Sequence, residues 1–457
     1  MRQFVLLILL IYSGPLSAQE LVSFQNGSVA DANAINGNFE ALAEKLGEVS
    51  LELDRITSAD QLNLEVNCDA DGRGALAGAI FENAARRGRL YITATGTCGP
   101  VEINDGRVVI VGLNGLTINR EEGDPDSGYL FYVGPEAVVS AVALTIDGTA
   151  HQNSAVRVQG WLNAAFFNVS NAPLHSNLEV LGGIVQAFGA VRLGDDDEEV
   201  TALSVNNGGI FANVLTSVFP DMTQSVVELR GFNHLVRAWN GGIVALNFPD
   251  TYTNAVGGGM LVEEGGRLLV GSGDFNLSQG LSIDGTSTAR FHEFFTDTEE
   301  QFLTSFDGDI SISRASSALF RLTSGTGSAL RHRGDITLTQ GSSLQVLGEP
   351  TGIQSVTLLS DSETSENPGV MVVSSGSSVS LSNAITNGNI IVSDSNLTVE
   401  NASDLKLGLP SVKSQFKGVV IIDTLVEDHG PDDRVVCSSG GGAWLESTEE
   451  SLCDSNN

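Results

Sequence analysis

A glycine-led motif recurs in the middle of the chain at intervals that are too long for a simple hairpin. GGIVQAF begins at Gly182, GGIFANV at Gly208 and GGIVALN at Gly241, so the steps are 26 and 33 residues. GDISIS at Gly308 and GDITLT at Gly334 repeat after 26 residues. Such a period fits one coil of a β-solenoid, in which each coil buries its apolar face only by stacking on its neighbours.

From about residue 100 to residue 430, short β runs alternate with Gly, Asn, Asp and Ser. The runs 108–113 and 261–270 are rich in apolar residues, as expected for parallel strands that face a narrow core. No helical pattern of about 10 to 15 residues separates the runs, which argues against alternating β and α units. The sequence therefore predicts an all-β parallel β-helix over residues 101–430. A sandwich or a propeller is the alternative, although the aromatic blade motifs of propellers are absent.

The first twenty residues, MRQFVLLILLIYSGPLSAQE, have the pattern of a secretory signal peptide. Arg2 precedes an apolar run that ends at Tyr12 and is too short to span a bilayer. Small residues follow as far as Ala18, and cleavage is expected before Gln19. We therefore expect a signal peptide over residues 1–18 and a mature chain that does not insert into a membrane. Its expected location is secreted, extracellular or at the cell surface, with the periplasm as an open alternative.

Residues 35–56, INGNFEALAEKLGEVSLELDRI, have a helical pattern that the rest of the chain lacks. Their apolar side chains recur with alternating gaps of four and three residues, which makes an unbroken seam of about three heptads. This pattern predicts an oligomerising helix within a segment over residues 19–60, and its arrangement of Leu and β-branched residues disfavours dimers and favours trimers or tetramers. The alternative is a helix that packs on the β body of its own chain. The seam consists of Ile35, Phe39, Leu42, Leu46, Val49, Leu53 and Ile56.

The four cysteines fall into two local pairs, Cys68 with Cys98 and Cys437 with Cys453. Neither pair has the spacing of a zinc site, and no histidine accompanies them. Four cysteines allow three pairings. Proximity in the sequence favours the two local pairs, which we expect to fasten the two ends of the β body, the second of them in a C-terminal cap over residues 431–457.

Two segments resemble parts of known exported proteins. SFQNGSVADANAINGNF resembles a short N-terminal segment of exported bacterial proteins, some of them fibre-like, and this likeness implies an oligomerising or leader role. Residues 66–98 contain a strand, an acidic turn, a short helix marked by Leu76, Ile80 and Ala84, and a strand that ends in GTC. They resemble the opening cap of secreted pectate-lyase-like proteins. The resemblance implies a single-stranded, right-handed parallel β-helix that follows an N-terminal cap over residues 61–100.

The formal net charge of the chain is −33 at pH 7. Such a surface repels nucleic acid, which needs a cationic footprint. It also repels anionic polysaccharides unless a cation such as Ca²⁺ bridges them. The densest acidic run is DDDEE at 195–199, and a run of like charges is typical of a solvated loop. The weak alternative is a calcium site at Asp195, Asp196 and Asp197, because calcium prefers hard oxygen ligands; we expect no other cofactor.

The sequence predicts no catalytic residue. Arg230, Arg237 and Arg267 recur near successive coils and could align on one face, but the Arg-Pro signature of lyases with this fold is absent. The six histidines are scattered, and nucleophile-elbow, P-loop and metal-ligand motifs are missing. Aromatic residues make up 6% of the chain, so few platforms for sugar rings exist; Trp161 and Trp239 are the best candidates.

These observations favour an exported, non-catalytic β-helix protein that has a structural, adhesive or glycan-binding role. Its expected partners are further copies of the same chain, as a homotrimer, and a polysaccharide. The alternative is a polysaccharide lyase or glycoside hydrolase whose catalytic carboxylates come together only when neighbouring coils stack.

Overall fold

The computed structural model describes residues 61–422, apart from several internal segments. The predicted signal peptide, the heptad seam at 35–56 and the C-terminal cap with Cys437 and Cys453 lie outside the described residues. The internal segments that are not described are 84–87, 122–127, 150–153, 173–174, 196–199, 214–224, 247–250, 272, 293–302, 307, 322–328, 349–355, 360–368, 387–388, 401–403 and 406–414.

The described part of the chain is built almost entirely from β-strands that join in one sheet. From β2 onward, every pairing between the described strands is parallel. The strands of the first half are β1 (Gln61–Asn67), β2 (Arg89–Thr95), β3 (Thr97–Cys98), β4 (Val101–Gly112), β5 (Thr117–Asn119), β6 (Phe131–Asp147), β7 (Val156–Val158), β8 (Trp161–Ser170), β9 (Ser176–Leu181), β10 (Ile184–Leu193), β11 (Thr201–Asn206), β12 (Ile210–Asn213), β13 (Ser225–Ala238), β14 (Ile243–Leu246), β15 (Thr251–Val262) and β16 (Arg267–Val270). Those of the second half are β17 (Gly273–Leu277), β18 (Leu281–Ile283), β19 (Thr288–His292), β20 (Leu303–Phe306), β21 (Ile310–Ile312), β22 (Ser317–Arg321), β23 (Ala329–His332), β24 (Ile336–Leu338), β25 (Ser343–Leu347), β26 (Val356–Leu358), β27 (Val370–Ser374), β28 (Ser378–Ser382), β29 (Ala384–Thr386), β30 (Asn389–Glu400), β31 (Asp404–Leu405) and β32 (Gln415–Ile422).

The strands stack in three parallel ladders, and each coil contributes to all three. Long strands such as β6 and β13 bend from one ladder into the next. Face A is the ladder through β2, β4, β6, β8, β10, β12, β14, β16, β19, β22, β25, β28, β30 and β32. Face B is the ladder through β3, β5, β6, β8, β10, β13, β15, β17, β20, β23, β26, β29 and β31. Face C is the ladder through β4, β6, β7, β9, β11, β13, β15, β18, β21, β24, β27, β30 and β32.

This architecture confirms the prediction of an all-β parallel β-helix solenoid, and the repeated motifs lie in register. Ile184 of the first GG motif pairs with Ile210 of the second, which pairs with Ile243 of the third. Ile310 and Ile336 of the two GD motifs also pair. Equivalent residues in adjacent coils lie between 18 and 36 positions apart, so the coils share their strands but differ in loop length.

The corner that joins face C to face A explains why the GG motif recurs. Asn240 and Gly241 both have left-handed backbone, with φ of 49° and 75°, a conformation that Asn and Gly adopt more readily than other residues. Gly242 follows, and a Cβ atom there would lie 2.1 Å from the carbonyl oxygen of Val205 in the preceding coil. The same corner recurs at 207–209 and at 264–266. The run 261–270 is therefore not one strand, because it contains a corner between β15 and β16.

In later coils a buried serine takes the place of the last glycine of the corner. The backbone N–H of Ser287 donates to Oγ of Ser316 over 3.1 Å, and that of Ser342 donates to Oγ of Ser377 over 3.2 Å. Ser377 donates in turn to Oγ of Ser395 over 3.2 Å. All five serines are buried, and the hydroxyls of Ser316, Ser377 and Ser395 each satisfy a backbone donor of the coil before that would otherwise lack a partner.

Two short helices and a disulfide lie at the N-terminal end of the described chain. The sequence predicts the second helix and the disulfide, whereas the first helix lies where an acidic turn is predicted. Helix α1 spans Cys68–Asp71 and helix α2 spans Ala75–Asn83, and Leu76 and Ile80 of α2 are buried in the end of the core. The bond between Cys68 and Cys98 is present, with both residues buried. Closing a loop of this length stabilises a fold by about 3–4 kcal/mol in the chain-entropy model. Among the described residues, no helix has the length and hydropathy of a membrane span.

Replacement of Gly242 by Ala tests the close approach of the coils. The new Cβ would collide with the carbonyl of Val205, so we expect the free energy of unfolding to fall by about 3 kcal/mol. Gly78→Ala in α2 is the matched control, because a Cβ there meets nothing within 4 Å. It should raise stability by about 0.5–1 kcal/mol, since Ala is the better helix former. Denaturant unfolding followed by circular dichroism measures both, and equal stabilities would contradict the packing argument.

Candidate functional site

Polar and charged side chains stand in one outward column on face C. Tyr132, Arg157, Glu179, Ser204 and Arg237 are register partners in successive coils. Their neighbours along each strand are buried, because successive side chains of a strand point to opposite sides of the sheet. Successive coils lie about 4.8 Å apart, so this column brings together residues that are far apart in the sequence.

The first half of the column is a cluster around Arg157. Its Nε and Nη2 atoms donate to Oε2 of Glu179 over 2.9 and 2.7 Å, and its guanidinium lies 4.2 Å from the ring centre of Tyr129. The rings of Tyr129 and Tyr132 stack with their centres 6.0 Å apart. The hydroxyl of Tyr132 donates to Oε1 of Gln159 over 2.5 Å. Each polar group of the cluster is therefore held in place by a neighbour from another coil.

Burial raises the pKa of the Tyr129 phenol above its usual value. The nearby carboxylate of Glu179 raises this pKa further, whereas the guanidinium of Arg157 opposes the shift. Tyr129 is therefore a neutral phenol at neutral pH, with an aromatic ring and a hydrogen-bonding hydroxyl.

The second half of the column is a cluster around Arg237, three coils further on. The guanidinium of Arg237 lies 4.9 Å from the ring centre of Trp239, and its Nη2 atom lies 3.3 Å from Oε2 of Glu263. Nε of Arg237 and Nε1 of Trp239 are buried and have no acceptor within the described part of the chain.

His234 stands beside this second cluster and is half-buried. Burial lowers the pKa of its imidazole, and the positive charge of Arg237 lowers it further, while Glu263 opposes the shift. His234 is therefore neutral at neutral pH and offers one donor and one acceptor.

We call the combined set the arginine–aromatic strip, and it consists of Tyr129, Tyr132, Arg157, Gln159, Glu179, Ser204, His234, Arg237, Trp239 and Glu263. Its two arginines are each paired with a carboxylate, so the strip carries little net charge. Aromatic rings with a few fixed hydrogen-bonding groups are typical of sites for small polar organic ligands. The strip is therefore suited to a ligand rich in hydroxyl groups.

The three arginines that recur near successive coils in the sequence do not lie on one face of the solenoid. Arg230 lies on face B, where its Nε atom is 3.8 Å from Oε2 of Glu228. Arg237 lies on face C, and Arg267 lies on face A. A shared face, which the sequence allowed, is not formed, because the bend within β13 carries Arg230 and Arg237 onto different ladders. Trp161 and Trp239 also belong to different faces.

Trp161 lies on face A, where its Nε1 donates to Oδ1 of Asn163 over 2.9 Å. Trp239 is therefore the only one of the two candidate sugar platforms within the strip.

The acidic run at 195–199 is described only at its first residue. The carboxylate of Asp195 pairs with Nη2 of Arg192, whereas Asp196 and Asp197 lie outside the described residues. Within the described ranges, no group of three or more His, Cys, Asp or Glu side chains could hold a metal ion. The calcium site stays a prediction.

Short runs in the sequence contain residues of the strip, but the spacing between the runs does not show that they are neighbours in the fold. Tyr129 and Tyr132 lie within the short run YLFYV, and Arg157 is the only charged residue of the run VRV. Only the register shows that these runs are neighbours, because 22 residues separate Arg157 from Glu179 and longer coils follow. No protein-family model, curated protein or solved structure matches the chain.

The pKa of His234 reports directly on the second cluster. Arg237→Gln should raise this pKa towards its ordinary value, because it removes a positive charge and leaves Glu263 in place. Glu263→Gln should lower it further. The histidine Cε1–H chemical shift, followed by NMR against pH and assigned with His234→Gln, measures both changes. An unchanged pKa in both variants would show that the two charges do not act on His234.

Proposed function

We propose that this chain is an exported, non-catalytic β-helix protein of the pectate-lyase-like class that binds a glycan along the arginine–aromatic strip. One observation carries the proposal: two arginines of the same column each lie against an aromatic ring, Arg157 against Tyr129, which precedes the face C strand β6, and Arg237 against Trp239, which follows the end of β13. Three ladder steps separate the two arginines, which corresponds to about 14 Å. An extended oligosaccharide would lie along the strip and contact both pairs.

The chemistry of the strip supports a neutral, hydroxyl-rich glycan. The apolar face of an aromatic ring packs against the C–H face of a sugar, and the phenol, amide and carboxylate groups form hydrogen bonds with its hydroxyls. A polyanion is disfavoured, because both arginines already have carboxylate partners and the whole chain carries a net charge of −33. The signal-like N-terminus supports export, and binding to a surface glycan would make the protein adhesive.

Two aromatic substitutions test the strip. Tyr129→Ala and Trp239→Ala should each weaken binding of a short soluble oligosaccharide at least tenfold, about 1.4 kcal/mol, because each removes the ring that the sugar contacts. Phe81→Ala is the matched control, since this ring is 88% exposed on helix α2 and lies outside the strip. Isothermal titration calorimetry on the mature chain, after a screen of neutral polysaccharides, gives the dissociation constants.

The outcomes separate the parts of the proposal. Equal affinities for the wild type and the two strip variants would remove the strip as the binding site. Release of reducing ends or of unsaturated uronates from any polysaccharide would contradict the non-catalytic part and support the lyase or hydrolase alternative. Tight binding of polyuronates only, and only with added Ca²⁺, would contradict a neutral ligand.

A further inference from the structure

Face A carries an outward ladder of apolar side chains in its first half. Val138, Trp161, Ile184, Ile210 and Ile243 are register partners in five successive coils. Val138 and Trp161 are 40% and 38% exposed, and the three isoleucines are partly exposed. Because this ladder lies outside the solenoid, its side chains do not contribute to the main core.

A small hydrophobic cluster lies beside the ladder on the same outward surface. Ala212 and Ala245 form it together with Phe188 and Leu269, and it is separate from the core inside the solenoid. The polar residues nearby form hydrogen bonds with one another. Asn163 accepts a hydrogen bond from Nε1 of Trp161 and donates one to the hydroxyl of Ser140. Covering these polar groups would therefore cost little.

Within the described residues, the ladder and the outward positions that follow it along each strand of face A are uncharged, whereas the exposed Glu136 lies two residues before Val138 at the edge of this surface. The ladder is bounded by Arg107 below Val138 and by Arg267 above Ile243. A chain with a net charge of −33 repels its own copies wherever acidic groups face each other. An uncharged apolar surface is the place where two such chains can approach closely.

We propose that the outward surface of face A between β6 and β14 packs against the same surface of further copies of this chain, side by side and in the same direction. We take the partner at this surface to be a second copy of the chain because of the predicted heptad seam that ends at Ile56. Four residues separate Ile56 from Gln61, where β1 begins, so oligomerisation through the seam would tether the β bodies closely. In an oligomer with one rotation axis, identical coils lie at the same height along that axis.

The size of the surface explains why the tether matters. Five coils at about 4.8 Å and five residues at about 3.3 Å give roughly 400 Å² for each copy. Stable interfaces bury about 800 Å² for each partner, so this surface is too small to associate tightly by itself. A short tether raises the effective concentration to the millimolar range, at which a weak apolar contact forms.

Cysteine cross-linking in the full mature chain tests the contact. Ile210→Cys places a thiol at the centre of the ladder, and Leu261→Cys places one at an outward, partly exposed position of face C as the matched control. The native pair Cys68 and Cys98 is bonded and buried, and the unsubstituted chain gives the background from the remaining cysteines. A short bis-maleimide is added, and covalent oligomers are measured on denaturing gels.

We expect light scattering to show an oligomer and cross-linking of Ile210→Cys to exceed that of Leu261→Cys and of the wild type at least tenfold. Ile184→Glu added to Ile210→Cys should abolish the cross-link, because it places like charges opposite each other. A monomeric mature chain would overturn the proposal. So would an oligomer in which Ile210→Cys reacts no more than the control. None of these outcomes depends on glycan binding.

Discussion

The close approach of backbones at the corner between faces C and A controls the rest of the structure. From the corner at Asn207 to the corner at Ser375, the chain turns through two left-handed residues and then passes against the backbone of the coil before it, which allows the coils to stack at the ladder spacing. Gly242 meets this demand because it has no Cβ, and Ser316 meets it by accepting a hydrogen bond from the preceding coil. The register that results decides which side chains share a column on each face.

That register separates two kinds of chemistry onto different faces. Face A presents an uncharged apolar ladder, whereas face C presents charged groups and aromatic rings between Tyr132 and Trp239. Both columns are built from residues that alternate with buried ones, so their outward positions are held by the core. A ligand that binds to such a rigid column loses little affinity to ordering of the site.

Sequence patterns predicted the solenoid, the cap helix and the Cys68–Cys98 bond, because these depend on local signals. Turn glycines, a helical period and nearby cysteines can be recognised without knowing the register. The strip could not be found in this way. Coils vary from 18 to 36 residues, so equal spacing does not indicate a shared column, and Arg230 and Arg237 lie seven residues apart on different faces. The corner motif also changes from Gly to Ser, which hides later coils from a search for glycines.

The positions of the apolar ladder on face A and the strip on face C show how several weak binding sites could together bind a polysaccharide strongly. A strip that offers two aromatic rings and a few hydrogen bonds is small, and single sites of this kind bind sugars weakly. If copies pack through face A, face C of each copy stays free, because the two ladders run along different sides of every coil. One particle then presents several identical strips in the same direction. Simultaneous contact with a repetitive polysaccharide raises the overall affinity without any new contact, which is what an adhesive protein requires.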